Sequence, residues 1–191
     1  GGEITEGTID YCGIDLAQKD ERYFQRIRGR EIGMIFQEPM NTLNPVTTIG
    51  EQLMETMRGQ EVSREKKKEK AVELLKMVGI PSPEERLMEY AHQFSGGMRQ
   101  RAMIAIALAA GPKLLIADEP TTALDVTVQQ QIIRLLLSLR DRLGMGMIFV
   151  THDLGVASEI CDNIAVMYAG RIVEQAPAEE LFQNPQHPYT M

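Results

Sequence analysis

Short apolar runs alternate along the chain with stretches in which apolar residues recur at helical spacing, and this alternation predicts an α/β domain with a largely parallel sheet. TIDY (8–11) has strand character, IGMIF (32–36) reads as a buried strand ending at Gln37, and LLIA (114–117) and MGMIFV (145–150) read as further strands. The four apolar residues of LLIA are expected to be buried. A helix is predicted from about Met98 to Ala110, stopped by Gly111 and Pro112, and a longer one over about 126–142 ending at Gly144. IAVMYAGRIVEQ (164–175) reads as a hairpin turning at Ala169 and Gly170.

The middle of the chain has a different character. After Gln37 comes a polar loop rich in Pro and Asn, EPMNTLNPVTT (38–48), and residues 49 to about 94 carry few β-branched residues and much Lys, Glu, Leu and Met. Ser63 is placed to cap a helix holding REKKKEK and the apolar positions Val72, Leu74, Leu75 and Val78, with a stop at Gly79 before Pro81. Ser82, Pro83 and Glu85 match a capping box opening a short helix through about Tyr90. These patterns divide the chain into an α/β core, 1–37 and 95–191, and an inserted helical subdomain with its leading loop, 38–94.

Composition narrows the function classes. The 191 residues are 43% hydrophobic and 25% charged, enough for one globular core with a smaller lobe attached. A formal net charge of −7 argues against general nucleic-acid affinity, which rests on clustered Lys and Arg. The lysines of REKKKEK are interleaved with glutamates and read as a solvated helix face. Cys12 and Cys161 have no zinc-ligand spacing and read as reduced, buried thiols of a cytoplasmic protein. No apolar run approaches the roughly 20 residues that span a bilayer, and GGEITEGTID has no signal-peptide pattern.

The candidate chemistry lies at strand ends. Three apolar strands each run into polar residues at their carboxyl ends: Gln37, the pair Asp118 and Glu119, and His152. In an open parallel sheet that edge is where ligands bind. Asp118 is placed to hold a magnesium ion directly or through water, and Glu119 to polarise an attacking water as general base. The alternative is that the two acids only solvate the loop before Pro120. His152 is placed to hydrogen-bond a terminal phosphate or orient the water, and Asp153 to cap the next helix. In FSGGMRQR (94–101), Ser95, Gly96 and Gly97 precede a helix whose first amides suit an anionic phosphate; an ordinary serine cap with a flexible turn is the competing explanation. His92 and His187 have no comparable placement.

In this order and spacing the residues resemble the ATP-binding subunits of ABC transporters over essentially the whole chain. FQEP looks like the glutamine loop at Gln37, SGGM the signature at Ser95–Met98, LLIADEP the second Walker motif with its following glutamate, TALD the loop carrying Asp125, and VTHD the switch histidine, His152. Met98 stands where many members have glutamine. FQEPMNTLNP and NPQHPYT (184–190) further resemble the oligopeptide, dipeptide and nickel importer branch. The resemblance implies a P-loop NTPase-type fold, ATP and Mg2+ as ligands, and a head-to-tail dimer with a second ATP-binding subunit. Asp118 and Gln37 would attend the metal, and Ser95, Gly96, Gly97 and Asp125 the nucleotide across the dimer. It also implies permease subunits at the inner face of the cell membrane and, through them, an extracytoplasmic binding protein.

One expected part is missing. No GxxxxGK[ST] occurs, and no lysine follows a glycine. Because that loop's amides and lysine hold the phosphates, residues 1–191 alone are expected to show no ATPase activity. The loop, a core strand and its helix would precede residue 1, so their neighbours are expected to be exposed and the fragment marginally stable. Three functions fit these observations: an importer ATPase subunit, a soluble ABC-type ATPase acting on DNA or the ribosome, and a non-catalytic interaction module. The absence of basic extensions or coiled-coil arms disfavours the second.

Overall fold

The structure, a computed structural model, describes residue 4 and residues 6–38, 42–122 and 124–191. Residues 39–41 of the polar loop, Ala123 of TALD and residues 1–3 and 5 lie outside the described residues.

The chain opens with a small antiparallel pair, β1 (Asp10–Tyr11) and β2 (Ile14–Asp15), and a helix α1 (Glu21–Ile27) capped by Asp20, whose side chain accepts from the Tyr23 amide. β3 (Ile32–Ile35) leads to the 38–48 loop and the lobe. There α2 (Ile49–Thr56) is capped by Thr48, α3 (Arg64–Met77) by Ser63, and α4 is the short Pro83–Arg86. The helix α5 (Gly96–Leu108) returns the chain to β4 (Leu114–Asp118). Then follow α6 (Val126–Leu143), β5 (Gly146–Val150), α7 (Leu154–Ile160), β6 (Asn163–Tyr168), β7 (Arg171–Pro177) and α8 (Ala178–Gln183).

The central sheet is parallel in the order β3-β4-β5, as crossover connections through helices require. Its register pairs Met34 with Ile116 and Ile116 with Ile148, and pairs Ile35 with Ala117 and Ala117 with Phe149. Because side chains alternate along a strand, these two rows face opposite ways. Ile35, Leu115 and Ala117 are fully buried in one core with Leu53, Leu75, Ile104, Ile132 and Leu136. Close packing there depends on Gly33: a Cβ at that position would stand 2.9 Å from the Ala107 carbonyl oxygen. The opposite row is open. Met34, Phe36, Ile148 and Val150 are exposed, and Leu114 and Ile116 only half-buried. The expectation of buried strands at IGMIF and LLIA therefore holds for alternate residues only, because no described element covers the second face.

Three further expectations are corrected. The lobe's third helix stops at Arg86 instead of running to Tyr90, and Ser82 adopts a left-handed conformation (φ 47°) with no side-chain cap. The following residues are drawn away to satisfy the start of α2: the amides of Gly50 and Ile49 donate to the carbonyls of Leu87 and Glu89, and Thr48 bridges Tyr90. The signature helix begins at Gly96, so both glycines lie within its first turn, with Ser95 as cap. Cys12 is exposed at the tip of the β1–β2 turn (φ 53°), and only Cys161 is half-buried, its thiol pushed up by burial. The β6–β7 hairpin turns at Ala169 and Gly170, both with positive φ, and packs with α8 into a second, smaller core around Ile164, Val166 and Leu181.

Candidate functional site

Parallel strands in adjacent positions deliver their carboxyl ends to one edge, where Asp118 is the last residue of β4 and Gln37, Glu119 and His152 follow the ends of β3, β4 and β5. Glu119 is the hub. Gln37 Nε2 donates to Glu119 Oε2 at 2.9 Å across 82 residues of sequence, and Thr122 Oγ1 donates to the same oxygen at 2.8 Å. His152 Nδ1 lies 3.2 Å from Glu119 Oε1. These bonds aim three groups at one carboxylate, leaving Oε1 with one partner among the described residues and room to accept another donor.

The backbone at Glu119 is itself unusual. Its φ is 44°, a left-handed conformation that costs an ordinary residue about 1–2 kcal/mol, and its amide donates to the Val150 carbonyl at 3.0 Å. The twist takes Glu119 out of the strand's alternation and presents its carboxylate to Gln37 and His152. The Thr122 hydroxyl above all, then the His152 hydrogen bond, hold the Glu119 carboxyl below the usual 4.5 of a glutamate against the opposing effect of burial, with Gln37 a smaller contributor. Glu119 is thus ionised at neutral pH. Its side chain is 24% exposed and that of His152 74%, so the cluster opens to solvent on the histidine side.

Asp118 ends β4 opposite Val150 and, by alternation, lies in the open row with Ile116. Asp153 caps α7 through the Val156 amide, which fixes the turn that carries His152. Ser95, Gly96, Gly97 and Asp125 form a separate group at two adjoining helix starts. Ser95 Oγ accepts from the Met98 amide at 3.4 Å and Asp125 Oδ1 from the Val128 amide at 3.0 Å. A Cβ on Gly97 would stand 3.1 Å from Val128 Cγ1, so the two helices meet where a larger residue would force them apart. Both side chains are engaged as caps, which accounts for their identity without a ligand.

The sequence profile of the ABC transporter family matches residues 2–122. The chain belongs to the ABC transporter family. It is 53% identical over 190 residues to the oligopeptide transport ATP-binding protein OppD of Bacillus subtilis, a match spanning 99% of this chain and 53% of that protein. A putative peptide import ATP-binding protein of Brucella melitensis is 59% identical, over 100% of this chain and 58% of its own length. Among solved structures, the post-hydrolysis dimer of the ATP-binding cassette MJ0796 bound to ADP and Pi superposes with a TM-score of 0.78 at 32% identity, covering 91% of this chain and 74% of that one. The α/β architecture with its parallel sheet is therefore that of an ABC cassette. The chain spans just over half the length of the curated relatives it matches.

Membership in this family implies ATP, and a magnesium ion with it. Among the described residues no cluster of three or more His, Cys, Asp or Glu is arranged to hold a metal. Magnesium keeps several waters and takes one or two carboxylates together with substrate phosphates. Asp118, the last residue of β4, supplies a carboxylate of this kind at the sheet edge. Also among the described residues, no helix is long and apolar enough to cross a membrane. The site member that sequence reasoning missed is Thr122. Its signal was a hydroxyl three residues after Glu119, within reach of one turn.

Proposed function

We propose that this chain is the hydrolytic part of an ATP-binding subunit that powers peptide import. The observation that carries the reading is the single carboxylate of Glu119 held by Gln37, Thr122 and His152 at the carboxyl edge of a parallel sheet. Ionised Glu119 accepts a proton from a water whose oxygen bonds to the terminal phosphorus of ATP as the bond from that phosphorus to the bridging oxygen breaks and ADP leaves, and Gln37 and Thr122 keep the carboxylate from rotating. His152 orients the carboxylate and the terminal phosphate on the solvent side. Asp118 and Gln37 would hold the magnesium that accompanies ATP, and the ion would supply charge neutralisation on the phosphates.

Ser95 with the amides of Gly96 and Gly97, and Asp125, face nucleotide bound by a second ATP-binding subunit in a head-to-tail dimer. Residues 1–37 and 95–191 carry hydrolysis, and 38–94 meets permease subunits at the inner membrane face. An extracytoplasmic binding protein delivers the peptide. Similarity to OppD and to the Brucella protein supports the peptide assignment, and the −7 net charge supports a partner set without nucleic acid.

The test is Glu119→Gln in the intact protein. Loss of the base lowers kcat about 100-fold or more while nucleotide affinity is retained. Turnover at the wild-type rate in E119Q would remove Glu119 from the chemistry, and the reading with it.

A further inference from the structure

Arg101 lies on α5, half-buried and away from the strand-end cluster. Its Nη1 donates to the Val78 carbonyl at 2.6 Å and its Nη2 to Gln131 Oε1 at 3.3 Å. Val78 is the residue that ends α3, and Gln131 lies on α6. One planar guanidinium therefore joins the end of the lobe helix, the helix that starts after Ser95 and the helix that starts after Asp125. A carbonyl at a helix C-terminus carries partial negative charge, so a cationic donor is favoured there over a neutral one. The adjacent Gly79 makes room for it: φ there is +74°, and a Cβ would stand 3.0 Å from Arg101 Nη1.

We propose that Arg101 is a positioning residue that pins α3 to α6 across α5, and so fixes where Ser95, Gly96 and Gly97 stand relative to Asp125. The two helix starts touch through Gly97 and Val128, a contact between small apolar surfaces. Arg101, further along the same helix, supplies the directional bonds that such a contact lacks. Its bonds run to Val78 and Gln131 and not to Gln37, Glu119 or His152, so it acts on geometry and not on the reacting atoms. Lysine cannot replace it fully, because a single ammonium does not span the fork between carbonyl and amide. The consequence for turnover rests on the ATPase reading above; the pinning itself does not.

The test uses the intact protein with every native cysteine, Cys12 and Cys161 among them, replaced by Ser and spin labels at Glu69→Cys on α3 and Arg134→Cys on α6, both exposed. Interlabel distances, kcat and nucleotide Kd are compared in wild type, Arg101→Ala, Arg101→Lys and Gln131→Ala. R101A is expected to broaden the distance distribution and lower kcat about tenfold with Kd within about twofold of wild type. R101K and Q131A are expected to fall between. Q131A alters an exposed residue and decides the matter if R101A does not fold. An unchanged distance distribution in R101A and Q131A overturns the proposal, as does a Kd that rises in step with the fall in kcat, the mark of direct nucleotide contact. If wild type hydrolyses no ATP, the functional reading falls, while the distances still decide whether Arg101 pins the helices.

Discussion

The two faces of the central sheet are built from the same kind of residue and meet different fates. On one, Ile35, Leu115 and Ala117 are sealed beneath α5 and α6; on the other, Met34, Ile148 and Val150 stand in solvent at 37%, 50% and 45% exposure. Parallel sheets are ordinarily covered on both sides, and the sequence follows that rule, with apolar residues in both rows. The open row thus shows a surface composed for burial, and it runs into Asp118 at its carboxyl end. The covered row contributes stability; the open row brings one site residue, Asp118, to the edge.

Paired substitutions would sharpen this contrast. Leu115→Ala removes a fully buried side chain and is expected to cost about 2–5 kcal/mol in urea unfolding. Ile148→Lys, half-exposed on the opposite row, is expected to change stability by under about 1 kcal/mol and to reduce self-association in light scattering. Equal losses of stability in the two variants would mean that both faces are packed, and the comparison would be void.

A smaller effect tests how tightly the covered face is closed. Gly33→Ala places a methyl group 2.9 Å from a backbone oxygen of α5 and 3.0 Å from Pro112 Cγ, neither of which can swing away as a flexible side chain would. Overpacking of this kind is expected to cost about 1–3 kcal/mol. A melting temperature equal to wild type would show that α5 rides loosely on β3.

Much of the site was legible because a simple rule of parallel sheets locates it. Three apolar runs ending in polar residues place Gln37, Glu119 and His152 on one edge once the strands are adjacent, and the hydrogen bonds at 2.9 and 3.2 Å join them there. Helix caps were legible for the same local reason: Ser63 and Asp153 each need only an amide three residues ahead. What escaped notice depends on partners distant in sequence. Ser82 carried a capping pattern, but the carbonyls of Leu87 and Glu89 were claimed by the start of α2, which ended the helix early. Arg101 looked like one more charge in FSGGMRQR until its fork met Val78 and Gln131. The open face was invisible to periodicity, since an apolar residue reads alike whether or not something covers it.

The smallest effect lies at the edge where the two faces end. The Glu119 carboxyl is held below the usual 4.5, so its ionised form is favoured by folding. A group whose folded pKa is depressed contributes stability that is fully present above its unfolded value and is lost as pH falls through the folded one. The stability difference between wild type and E119Q should therefore shrink as pH falls below about 4.5, with a total of about 1 kcal/mol or less for a partly exposed cluster. Glutamine keeps the left-handed backbone and its strain, so the comparison isolates the charge. Parallel stability curves for the two proteins from pH 7 to pH 3 would mean that Thr122, His152 and Gln37 hold the edge by shape alone, and that the open face stops at Asp118 without an electrostatic boundary.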